Sequence, residues 1–144
     1  MRFEEIQAQW ASDARIDKAN LTDESLKIPL LHAKYYEMYI QEKMKLTNLK
    51  SQVVELEHIL EQFYAKTLTA SELKEYGLEY IDKTVLKTDI PKWVQSNRDN
   101  IKLKQKVAVQ QEKVDFIKSI LQQISTRSFT IRDAIEFLKF QSGG

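Results

Sequence analysis

The sequence predicts an all-α protein, and three observations carry that expectation. Its 144 residues include only three glycines and two prolines, with Gly143 and Gly144 at the very end, so turn formers are too few for a strand-rich fold. No Gly or Pro separates Pro29 from Gly77. Two apolar series advance by alternating steps of three and four, the heptad spacing of helices that pack along a narrow seam. The expected architecture is two long heptad-patterned helices forming a hairpin-like core, with short N-terminal, middle and C-terminal helices. A chain of this length supports one core, so residues 1–144 are expected to form a single helical domain.

In chain order, Phe3, Ile6 and Trp10 recur at helical spacing and predict a short helix over 2–12. A polar joint runs from Asp17 to Asp23. Pro29 suits the first turn of a helix, where its missing N–H costs nothing, and a long helix is expected over about 28–66. Leu46, Leu49, Val53, Leu56, Leu60 and Phe63 form its seam, and its amino-terminal half carries Tyr35, Tyr36 and Tyr39. Irregular structure and short helices should fill 69–98. There Thr69-Ala70-Ser71-Glu72 is a capping box, Gly77 interrupts the helix it opens, and Asp82 to Asn100 is the least periodic stretch.

A second long helix is expected over about 100–125, with Leu103, Val107, Gln110, Val114, Ile117, Leu121 and Ile124 as its seam. Thr130-Ile131-Arg132-Asp133 then opens a short helix over 131–141 whose Ile131, Ile135 and Leu138 share a face. Helices of this size bury little surface in a monomer, so Leu103, Val107, Val114, Ile117, Leu121, Ile124, Ile131, Ile135 and Leu138 are expected to build an assembly of identical copies.

Composition excludes several function classes. Without cysteine there is neither a disulfide nor a thiolate metal site. His32 and His58 lack the partners at helical spacing that mark a metal site and read as helix-surface residues. Three glycines cannot build a phosphate loop, so nucleotide hydrolysis is not expected. Glu55, Glu57 and Glu61 read as a solvated acidic face and not as an acid/base pair. The opening Met1-Arg2-Phe3-Glu4-Glu5 is unlike a signal or transit peptide, and no apolar run approaches the roughly 18 residues of a membrane span. A cytoplasmic, non-enzymatic protein without cofactor or metal is the expectation.

With 22 basic and 21 acidic residues, an anionic partner must be held by a local patch. Arg98, Lys102, Lys104 and Lys106 gather at the start of the second long helix, and Lys34, Lys43, Lys45 and Lys50 lie along the first. Either group can neutralise phosphates without reading bases. Tyr35, Tyr36, Tyr39 and Trp93 are candidates to stack on unpaired bases, whereas Phe129 reads as core. A ring would join modest patches into a continuous basic rim.

Met1-Arg2-Phe3-Glu4-Glu5-Ile6-Gln7, Ile16-Asp17, Leu31-His32-Ala33-Lys34-Tyr35, Lys83-Thr84-Val85-Leu86 and Arg127-Ser128-Phe129-Thr130-Ile131, running on to Ile135, Phe140 and a terminal glycine, resemble in order and spacing the UvsY family of bacteriophage recombination mediators. The resemblance implies a mediator that binds single-stranded DNA, assembles as a ring of about seven subunits, and helps a phage RecA-like recombinase displace the phage single-strand-binding protein in the cytoplasm of the infected host. It also implies DNA-binding roles for Lys34, Lys43, Arg127 and Arg132. Where the family carries a Lys and Arg pair late in the first long helix, this chain has His58 and Leu60, so Lys45, Lys50 and the cluster from Arg98 to Lys106 are the expected compensators. The competing expectation is a coiled-coil adaptor that binds only proteins, its basic runs serving solubility.

Overall fold

The computed structural model describes residues 1–143. Among them every regular element is helical: α1 (Phe3–Asp13), α2 (Leu21–Leu26), α3 (Ile28–Tyr64), α4 (Ala70–Glu75), a 3-10 turn (Lys87–Asp89), α5 (Ile90–Ser96) and α6 (Arg98–Gln141). The all-α expectation holds. The chain divides into two compact units, one of Met1–Met44 with the chain from Gln111 onward, the other of Lys45–Gln110, so α3 and α6 each serve both.

In the first unit Ile6 of α1, Tyr35 of α3 and Ile117, Ile120 and Ile124 of α6 form a fully buried cluster, with Trp10, Leu31, Met38 and Phe116 packed against it. The isoleucines recur every three or four residues, so one face of α6 turns inward, and burying each contributes about 1.5–3 kcal/mol. Phe3 meets Phe116 with ring centroids 5.4 Å apart, which seats α1. The segment expected to be a polar joint is more ordered than its composition suggests. Asp17 folds it by accepting from the Ala19 N–H (3.0 Å) and the Asn20 amide (2.7 Å), and α2 follows with Leu21 and Glu24 buried.

A second cluster, in the other unit, gathers Leu60 and Tyr64 of α3 with Val94 of α5, and Ile81, Val85, Ile90 and Trp93 complete it. The expected single core is thus two separate clusters. The capping box is present: Thr69 Oγ1 accepts from the Glu72 N–H and Glu72 returns the bond to the Thr69 N–H. Gly77, at φ 66°, closes α4 as the Leu78 N–H reaches back to the Leu73 carbonyl. Asn97 starts α6 by accepting from the N–H groups of Asp99 and Asn100.

Two helix boundaries differ from expectation. α3 stops at Tyr64 and not at 66, because Lys66 takes the left-handed conformation (φ 60°) and the Thr67 N–H bonds the Gln62 carbonyl, a cap that glycine usually provides. α6 runs unbroken to Gln141, where the sequence suggested one helix ending near 125 and another over 131–141. The polar residues between them do not interrupt it: Ser125 and Thr126 donate to the carbonyls of Gln122 and Gln123, and Arg127 and Ile131 continue the buried face of Ile124.

Candidate nucleic-acid interface

In the second unit, Lys102, Gln105, Lys106, Val109 and Gln110 of α6 and Leu49 of α3 line an open groove of about 550 Å³. Positions 102, 106 and 109 follow the helical repeat and so share a face, with two ammonium groups one turn apart beside an exposed valine. Neither Lys102 nor Lys106 has an ion-pair partner among the described residues, so both charges are available to an anion. Lys104, two residues from each, points elsewhere. Its ammonium lies 3.6 Å from Glu57 and accompanies Gln95. Burial pushes the Glu57 carboxyl up, but hydrogen bonds from Gln95 and Asn100 and the Lys104 charge outweigh it and hold that carboxyl below its usual range. Lys104 is therefore committed within the chain, while Lys102 and Lys106 are not.

The remaining basic candidates are dispersed. Arg98, Lys50 and His58 are exposed, and Lys43 and Lys45 are exposed but engaged with neighbours. Leu60 is buried in the second cluster, so that position could not hold a phosphate-binding arginine here. Lys34 is tied to Asp13 at 2.6 Å. Arg132 is exposed and lies 5.0 Å over the Phe129 ring.

Arg127 requires correction as a DNA contact. It is buried at 5% exposure, and its guanidinium donates to Glu24 (3.2 Å) and to the carbonyls of Ala14 and Arg15. A group so enclosed fastens the turn between α1 and α2 to α6 and cannot reach a phosphate. Tyr35 is corrected likewise as a stacking residue, being fully buried, edge-on to Trp10, with its hydroxyl donated to Asp13 at 2.7 Å. Burial first, then the Asp13 hydrogen bond, raise that phenol's pKa well above the ordinary value. Tyr36 is exposed, and His32, Tyr36 and Tyr39 form a stacked series with spacings of 5.6 and 6.1 Å. Trp93 is half-buried against Tyr64.

The expected assembly residues divide in the same way. Val114, Ile117, Ile124 and Ile131 are buried by their own chain and are corrected as surfaces for another copy. Leu103, Val107, Leu121 and Ile135 are half-buried, and Leu138 is exposed. Phe129, expected in the core, is also exposed, as are Phe137 and Phe140, which the seam reading passed over because they fall outside its heptad positions. Leu49, Gln105 and Val109 were likewise absent from the basic runs. The step from Lys102 through Lys106 to Val109 was the available signal for the last of them. Among the described residues no group of His, Asp and Glu could hold a metal ion, and no helix is long and apolar enough to cross a membrane.

No curated protein matches the sequence. Among solved structures, three crystal forms of the bacteriophage T4 recombination mediator protein UvsY share the fold. Lattice type IV superposes with a TM-score of 0.81 at 17% identity, covering 98% of this chain and 99% of the other. Lattice type II gives 0.78 at 18% identity, covering 99% and 98%, and lattice type I gives 0.81 at 17%, covering 95% and 98%. At such identity these structures establish a shared arrangement of helices. The model of the family described as "Recombination, repair and ssDNA binding protein UvsY" matches residues 9–144, almost the whole chain, and with the helical order above it shows that this chain belongs to the UvsY family.

Proposed function

We propose that the chain is a non-enzymatic recombination mediator that binds single-stranded DNA and promotes loading of a phage RecA-like recombinase in place of the phage single-strand-binding protein. The observation that carries this reading is the family match over residues 9–144. The groove supports it chemically, because the ammonium groups of Lys102 and Lys106 can neutralise neighbouring phosphates without reading sequence. Arg98, Lys50 and His58, exposed in the same unit, are secondary contacts, and Arg132 offers a further exposed cation in the other unit. The protein acts as a homo-oligomeric ring of about seven subunits in the cytoplasm of the infected host, so that weak grooves act together. Mediation then requires only differential affinity: the strand is held in a conformation that favours recombinase nucleation over the competing coat protein.

The test is fluorescence anisotropy of a labelled single-stranded oligonucleotide at low and moderate salt, against a duplex of equal length and against Lys102→Glu/Lys106→Glu. Salt-sensitive preference for the single strand, weakened at least roughly tenfold by the double reversal, is the expected result. Absence of binding by folded, assembled protein would replace this reading with a protein-only adaptor, which the exposed Phe137 and Phe140 would then serve.

A further inference from the structure

A second feature of the Lys45–Gln110 unit lies outside the groove. Asp89, Lys92, Trp93 and Ser96 line a hollow of about 310 Å³, within the roughly 300–1,000 Å³ of small-ligand sites. The Lys83 ammonium, from the irregular segment before the 3-10 turn, sits 5.0 Å over the Trp93 ring. Trp93 is braced against Tyr64, at 5.6 Å between centroids, so its indole is fixed by the second core cluster and not free to collapse into the hollow. Lys83 and Lys92 are both exposed, and neither forms an ion pair among the described residues.

We propose that this hollow is a nucleobase site, in which one unpaired base stacks on Trp93 while Lys83 and Lys92 take the phosphates on either side. The chemistry of the lining favours a base over a phosphate as the occupant. The Asp89 carboxylate repels an anion but accepts an N–H from a base edge, and the Ser96 hydroxyl, whose proton goes to the Lys92 carbonyl at 2.8 Å, accepts a second one. Lys83 occupies the ring only as a cation over a π-face, a contact weaker at an exposed site than base stacking, so an incoming base displaces it. The displaced ammonium, on its flexible side chain, stays within reach of the phosphate flanking that base. The site serves any base, since every base has a π-face, and it is closed to a duplex, whose bases are already stacked.

This inference rests on single-stranded DNA binding and is separable from it. The protein is labelled with 5-fluorotryptophan, which gives one fluorine resonance for Trp10 and one for Trp93, assigned with Trp93→Phe. Oligothymidylate is titrated while anisotropy follows binding in parallel. The expected result is a saturable shift of the Trp93 resonance with Trp10 unmoved. Lys83→Ala/Lys92→Ala, which leaves the core untouched, should weaken binding and flatten the dependence of log affinity on log salt by about 1.4, or roughly 0.7 for each lost phosphate contact. Binding by anisotropy with an unmoved Trp93 resonance, or an unchanged salt slope in the double variant, overturns the nucleobase site and leaves the mediator reading standing. No binding at all overturns both.

Discussion

Asp13 shows how one residue's environment fixes both local structure and acid sensitivity. Burial raises its carboxyl pKa, but hydrogen bonds from Lys34 and Tyr35 and the Lys34 charge prevail, so the folded value lies below the ordinary one. A depressed folded pKa means stability present above the unfolded value of about 3.9 and lost as pH falls through the folded value. Asp13→Asn should therefore lower the urea midpoint at pH 7, and the gap to the parent should close as pH falls below about 4; a gap independent of pH would contradict the pairing. Arg127 carries the larger energy. Arg127→Met leaves the buried Glu24 with only the more exposed Lys27 ammonium at 3.6 Å, at a cost of about 3 kcal/mol, and Glu24→Gln in the same chain should restore part of it, a coupling that a double-mutant cycle of unfolding free energies reads directly. Residue type alone could not distinguish these roles in the sequence. Tyr35 and Tyr36 are the same side chain one position apart, yet helical phase buries the first and exposes the second, and the same phase separates Lys104 from Lys102 and Lys106.

The helical elements were readable because their signals are local: the capping box at Thr69, the turn at Gly77 and the seams all depend on neighbours within a few residues. The continuity of α6 was not, since Ser125, Thr126, Ser128 and Thr130 have the composition of a joint, and only the buried face shared by Ile124, Arg127 and Ile131 carries the helix across them. Ser128→Pro separates the two readings. In a joint it would be tolerated, but in the interior of α6 it removes the bond to the Ile124 carbonyl and clashes with that turn, at about 3 kcal/mol or more. Thermal unfolding by circular dichroism should show that loss, and an unchanged melting temperature would restore the boundary near 125.

At the scale of the molecule, what remained hidden was which apolar residues meet another chain. A heptad leucine or isoleucine looks identical in sequence whether its own chain or a neighbour covers it, and Val114, Ile117, Ile124 and Ile131 prove to be covered internally. Exposed apolar residues occur along several helices, and one group of them closes α6, where Phe137, Leu138 and Phe140 are exposed at 60%, 45% and 80%. Exposed aromatics so close together on one helix are what an assembly surface provides. Phe137→Ser/Phe140→Ser removes no buried group of the subunit, so its stability should stay within about 0.5 kcal/mol of the parent. On the proposed assembly, its sedimentation coefficient should fall as the oligomer dissociates. Single-strand affinity should fall with it, by roughly a hundredfold or more, because grooves on separate subunits no longer act at high effective concentration. Lys102→Glu/Lys106→Glu should do the reverse, weakening DNA binding while the sedimentation coefficient stays unchanged. If the phenylalanine variant sediments like the parent, assembly uses another surface, and the half-buried Leu103 and Val107 become the next residues to replace.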